Sequence, residues 1–206
     1  MANLLKRAGF EVRQATSLGF FAFKEAVRAF AAEASEAEIA VIYFSGQGIG
    51  FDGVNYLLPI DARLTIEDDA AREGIDLDSV ISAVMRAKQL GLVILDASHA
   101  RALVEIGNYP SRTIAANSGE RAANALPANV MVASATKAGA TAKDADGGNS
   151  PYAAALIKHL GQPGLDVSLA FARVRDDVLK ATGNKQEPVL YGSLDGRMIA
   201  LVPAAN

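Results

Sequence analysis

The sequence predicts an α/β fold with a mainly parallel sheet flanked by helices. Two observations carry that expectation. Three apolar runs of strand length, IAVIYF at 39–44, LGLVILDAS at 90–98 and VMVASA at 130–135, read as strands buried inside the fold. Segments with helical spacing or helix caps lie between and after them, and strands alternating with helices make a parallel sheet.

Residues 10–15, FEVRQA, alternate and read as a short strand. A helix is expected over about 18–32, where Phe20, Phe23, Val27 and Phe30 share one face and Lys24, Glu25 and Arg28 fall outside it. The strand at 39–44 runs into SGQGIG, expected as a loop over 45–50. GVNYLLPID then reads as the second arm of a small hairpin turning at Asp52-Gly53. Asp76 or Asp78 can cap a helix reaching to about Lys88, and the strand at 90–98 follows. Residues 105–129 are polar and too long for an ordinary connector, which marks them as functional or mobile, with a surface loop as the simpler reading. After the strand at 130–135, Asn149-Ser150-Pro151 is a helix start in which Ser caps and Pro takes the first turn. That helix ends near Gly161, another spans about 166–182, and PVLYGS and RMIALV close the chain as extended segments. In parallel sheets ligands sit beyond the carboxyl ends of the strands, so 45–50 and 97–101 are where chemistry is expected.

Composition narrows the function. With 206 residues, about half of them hydrophobic, the chain is expected to form one domain, 1–206. A net charge of -3 with interspersed signs argues against a nucleic-acid partner. There is no cysteine, which excludes disulfides, thiolate metal sites and a cysteine nucleophile, and fits a reducing compartment. No apolar run reaches the length of a membrane span, and MANLLKRAGF has no apolar signal core. A cytoplasmic protein without membrane association is expected, with export left open if the start is trimmed.

Several motifs carry less than they promise. Gly46, Gly48, Gly50 and Gly53 superficially match a dinucleotide fingerprint, but that fingerprint needs a helix directly after the glycines. Here a hairpin follows, and no Lys-Ser/Thr pair completes a phosphate loop, so no nucleotide cofactor is expected. Asp144-Ala145-Asp146-Gly147-Gly148 looks like the opening of a calcium loop, but the glutamate such a loop needs at its twelfth position is missing. A solvated turn and no metal are expected there. His159 falls in a predicted last helical turn, where a cation suits the helix dipole, and reads as structural.

YFSGQG…GVNYLLPIDA and LGLVILDASHA together resemble the bacterial caspase-like peptidases, relatives of metacaspases and caspases. The likeness continues through VMVASATKAGATAKDADGGNSPYAAALIKHL and FARVRDDVLKAT…EPVLYGSL, in order and over nearly the whole chain. It implies the three-layer caspase-like (caspase–hemoglobinase) fold. In that family the first of these strands ends in Ser-Gly-His-Gly, whose His is the catalytic base. The second ends in Asp-Ala-Cys or Asp-Ser-Cys, whose Cys is the nucleophile. The resemblance therefore puts Gln47 in the place of the base and Ser98 in the place of the nucleophile. Asp96 matches the aspartate two residues before the nucleophile, so part of the substrate pocket is expected to survive. Ala138 stands where relatives commonly carry an acidic residue that helps hold a basic P1 side chain.

The chemistry of these replacements is severe. A thiol paired with imidazole becomes a thiolate, whereas a serine hydroxyl needs a base at the moment of attack. Glutamine only donates and accepts hydrogen bonds. His99 adjoins Ser98, but neighbouring residues usually point apart, and in the family the base comes from the other loop. The family also usually opens with an apolar strand ahead of the helix in which this sequence begins, so its first strand is apparently missing. A truncated start, closure of the two flanking strands, or an edge covered by another chain would each account for that. An altered sheet or a homodimer is preferred over a monomer with an open slot.

Three readings of function follow. The first is a catalytically dead pseudo-peptidase, retained for binding a protein or peptide, for regulation or for oligomerisation. The second is an active or weakly active hydrolase using Ser98. The third is a peptidase specific for basic residues into which Ser98, Gln47 or both were engineered; two changes together with the uncharged Ala138 argue for natural divergence instead.

Overall fold

The computed structural model describes residues 1–66, 68–99 (98 and 99 by backbone alone), 126–137 and 148–204. Its strands are β1 (Ile39–Phe51), β2 (Val54–Leu58), β3 (Ile75–Asp76), β4 (Leu90–His99), β5 (Val130–Ser134) and β6 (Val189–Tyr191). They form one mixed sheet in the order β3-β2-β1-β4-β5-β6. β4 runs parallel to both β1 and β5, while β2, β3 and β6 add antiparallel flanks. The helices are α1 (Ala2–Arg7), α2 (Phe20–Ala34), α3 (Asp69–Glu73), α4 (Leu77–Val84), α5 (Pro151–Leu160) and α6 (Val167–Thr182). Among the described residues no helix is long and apolar enough to cross a membrane.

Three layers result. Val93 and Leu95 of β4 and Val130 and Val132 of β5 pack with α4 and the aromatic face of α2. Leu92 and Ile94, with Met131 and Ala133, pack on the other side with α5, α6 and Leu4 of α1. Successive strand residues face opposite sides, so a strand covered twice must be apolar throughout, and 92–95 are all 0% exposed. Each such side chain contributes roughly 1.5–3 kcal/mol by leaving water. Gly91 permits the close approach of α4, because a side chain there would collide with the Val84 carbonyl.

The helix starts are capped as their sequences require. The Asp76 carboxylate accepts from the Asp78 N–H at 2.8 Å, the Ser150 hydroxyl from the Ala153 N–H at 2.9 Å, and Asp166 from the Ser168 and Leu169 N–H groups. Gly183 ends α6 in the left-handed region, at φ 60°. The Asp52-Gly53 turn joins β1 to β2 with both residues at positive φ, 46° and 74°, the geometry of a tight hairpin.

Five local expectations change. SGQGIG is strand, not loop: β1 continues to Phe51 because 47–51 pair with β2 while 45–48 still pair with β4. Residues 10–15 are not strand, since among the described residues no ladder partner runs beside them. The two flanking segments therefore do not close up. α2 begins at Phe20 rather than 18, where the Asp61 carboxylate from a distant loop accepts the Phe20 N–H at 2.9 Å. α4 stops at Val84, because Lys88 and Gln89 already donate to Ala37 and Glu38 on the approach to β1. RMIALV joins no strand: Ile199 and Leu201 are buried in the α5–α6 core, and the Ile199 carbonyl accepts the Val167 N–H while its own N–H donates to the Asp166 carboxylate at the start of α6.

Candidate active site

The carboxyl ends of β1 and β4 bring the singled-out positions together. In the parallel register Ser45 faces Asp96, Gln47 faces Ser98 and Gly48 faces His99. Gln47 is exposed and also lies opposite Leu58 of β2. The glycine before it has a packing reason. Residues two apart share a strand face, and a Cβ on Gly46 would lie 2.7 Å from the tip of the Phe44 ring. Phe44 in turn stacks on Phe23 of α2, ring centres 5.8 Å apart. Gly46 is the seat of that ring.

Asp96 is half-buried and already engaged. Its Oδ2 accepts from the Tyr43 hydroxyl at 2.9 Å and the Ser150 hydroxyl at 2.7 Å. Burial, then the Asp96 charge, pushes the Tyr43 hydroxyl well above the ordinary tyrosine range, so it stays a neutral donor. Tyr152, fully buried nearby, is raised for the same two reasons, and its hydroxyl makes no hydrogen bond among the described residues. One carboxylate thus ties β1, β4 and the first turn of α5 at a single atom.

Ala138 lies outside the described residues, as do 144–147 of the candidate calcium turn and 105–125 of the long polar segment. Lys137, just before Ala138, pairs with Glu187 at 2.6 Å, and Glu187 also pairs with Arg175 of α6 at 2.6 Å. The two cations, Lys137 first, hold the Glu187 carboxyl below its usual range. Sequence reasoning missed this triad and the Tyr43 and Ser150 bonds to Asp96, which span 53 and 54 residues and leave no local signal.

The chain has two histidines. His159 is buried at the end of α5, with Nε2 2.8 Å from Asp177 Oδ2 and Nδ1 3.2 Å from the Gln162 amide nitrogen. A rise of 1.5 Å per residue puts it about 14 Å along the helix from Ser150. It joins α5 to α6 and is no part of the β1–β4 site. Among the described residues no group of three potential metal ligands occurs.

The profile of the caspase domain matches residues 1–199. The chain belongs to the caspase-domain family. No curated protein sequence matches it. Among solved structures, caspase-1 from Spodoptera frugiperda superposes on this caspase-domain protein with a TM-score of 0.64. The match covers 100% of this chain and 79% of that one, at 16% identity, a likeness of fold. The caspase-like three-layer architecture, with a mostly parallel core between helices, is thereby established for the described residues.

Proposed function

We propose that this caspase-domain protein is a pseudo-peptidase, keeping the fold to bind a protein or peptide segment without cutting it. One observation carries the reading: the two positions facing each other at the carboxyl ends of β1 and β4 are Gln47 and Ser98. The family resemblance assigns a base and a sulfur nucleophile to those positions. An amide takes no proton near neutral pH, and an unassisted hydroxyl is a poor nucleophile. Positioned acid–base catalysis is typically worth about 10²–10⁴-fold, and loss of a nucleophile or base from a hydrolytic triad has cost about 10⁶. His159, held by Asp177 and Gln162, is no replacement base. Asp96 supports a retained binding role, as a carboxylate held at the same strand ends.

The test pairs turnover with labelling. Fluorogenic peptides ending in Arg, Lys or Asp are expected to show no hydrolysis above buffer, and acyl or phosphonate probes no adduct at Ser98. Hydrolysis abolished by Ser98→Ala, together with an adduct on that residue, would overturn the reading in favour of a serine hydrolase.

A further inference from the structure

His159 is buried where α5 meets α6, and both of its ring nitrogens have partners. The helices set up these meetings. Gln162 follows three residues after His159, and its N–H still bonds to the His159 carbonyl, so the two side chains lie over one turn. Arg173 and Asp177 are four apart on α6 and share the face turned toward the end of α5.

The donors and acceptors around Gln162 fix where the imidazole carries its proton. A guanidinium only donates, and Arg173 Nη1 lies 3.0 Å from Gln162 Oε1, so the amide oxygen faces Arg173. A carbonyl only accepts, and the Lys158 carbonyl lies 3.4 Å from the amide nitrogen. That nitrogen, 3.2 Å from His159 Nδ1, therefore donates to it, and Nδ1 must hold a lone pair. The single ring proton sits on Nε2 and goes to Asp177 Oδ2 at 2.8 Å. Arg173, Gln162, His159 and Asp177 form a chain in which each member donates to the next.

A second ring proton breaks that order. Nδ1–H would point at an NH2 group. Gln162 can offer its oxygen only by turning its amide end for end, which sets the NH2 against the Arg173 guanidinium, donor against donor. Asp177 stays an anion throughout: Lys158 first, at 2.6 Å, and then His159 hold its carboxyl below the usual range.

The remaining charges around the joint are occupied or exposed. Asp176 and Lys180 of α6 are exposed, and Asp176 lies beside Arg175. The α1 helix packs Leu4 against Gly161 and brings only the exposed cations Lys6 and Arg7. Asp166, closing the turn, accepts from the Ser168, Leu169 and Ile199 N–H groups. The segment 199–204, whose Val202 carbonyl takes the Gly164 N–H, carries no charged side chain.

We propose that His159 and Gln162 form a pH-sensitive latch between α5 and α6: when the imidazole takes a second proton, the Gln162 amide turns around and releases Arg173. The latch is separate from the β1–β4 strand ends and does not depend on the absence of catalysis.

The test is nuclear magnetic resonance on the full, 15N-labelled chain. His99→Gln leaves His159 as the one histidine, which assigns its ring signals. At about pH 8 the ring is expected to carry its proton on Nε2. On lowering to about pH 5 it is expected to gain the Nδ1 proton, with the Gln162 side-chain NH2 signals moving at the same midpoint. Gln162→Met changes no charge and removes the conflict of donors, so its ring midpoint is expected above that of the wild type by about 0.5 unit or more. Four results overturn the proposal. One is a proton on Nδ1 alone at about pH 8. Another is a ring that takes no second proton above about pH 5. The third is a ring that titrates while the Gln162 NH2 signals stay still. The fourth is a Gln162→Met midpoint equal to or below that of the wild type, which would mean that Gln162 favours the imidazolium. The first three need only an intact Gln162, so a Met variant that fails to fold leaves the latch open to disproof.

Discussion

Gln47 and Ser98 stand directly opposite one another in the parallel ladder of β1 and β4, although 51 residues separate them in the chain. The chain contains no cysteine, so Ser98→Cys introduces a lone thiol. Its alkylation by iodoacetamide is expected to follow a pKa near the free value of about 8.5. In the Gln47→His/Ser98→Cys double variant, an imidazole across the ladder is expected to lower that value by about one unit or more. Identical pH profiles for the two variants would show that the paired positions do not let an imidazole reach a thiol.

Asp96→Ala removes the acceptor of two hydroxyls. Hydrogen bonds to a charged group are worth about 1.5–3 kcal/mol each, and the half-exposed setting of Asp96 brings the expected total loss to about 2–3 kcal/mol. Ser150→Ala loses a helix cap as well as one of those bonds, about 1–2 kcal/mol. Because the two share a bond, urea midpoints are expected to show the double variant less destabilised than the sum. Strict additivity would mean the Asp96–Ser150 bond contributes nothing.

Two glycine substitutions separate backbone from side-chain crowding. Gly91→Ala drives a methyl into the Val84 carbonyl, which can yield only if α4 shifts; about 3 kcal/mol or more is expected. Gly46→Ala meets the Phe44 ring first, which can tilt at the expense of its stack on Phe23, so about 1–2 kcal/mol is expected. Thermal unfolding of the two variants checks the order, and equal losses would contradict the assigned causes.

Asp69, nearly buried at 7% exposure, accepts from the Thr65 hydroxyl at 2.6 Å, the Thr65 and Ile66 N–H groups, and Arg72. These bonds, the Thr65 hydroxyl foremost, hold its carboxyl well below the usual range. A carboxyl depressed in the folded state adds stability that is present above its unfolded pKa of about 4 and lost as pH falls through the lower folded value. Between about pH 5 and pH 2, the wild-type urea midpoint is therefore expected to fall more than that of Asp69→Asn. Parallel curves would remove Asp69 as the cause.

The parts legible in the sequence were those decided by local chemistry. Continuous apolar runs marked β1, β4 and β5, and the side chains of Asp76 and Ser150 marked two helix starts. Misreadings arose where a distant partner decided. Gly46 looked like a loop residue because the ladders to β4 and β2 that carry β1 through 45–51 leave no signature in its spacing. The alternation at 10–15 was genuine, but a strand exists only where another backbone meets it. Ile199 and Leu201 are apolar for the α5–α6 core rather than for a ladder. At the site, Gln47, Asp96 and Ser98 were legible as positions, while the hydroxyls that occupy Asp96 were not.

Ser150 does two jobs with one oxygen: it takes the Ala153 N–H and gives its own proton to Asp96. A visiting cation that claimed that carboxylate would compete for the serine's proton acceptor, and the opening turn of α5 would feel the competition. Linkage makes the effect mutual: whatever stiffens the start of α5 also sets how readily Asp96 can be given up to a guest. The strand end and the helix start are thus one thermodynamic unit.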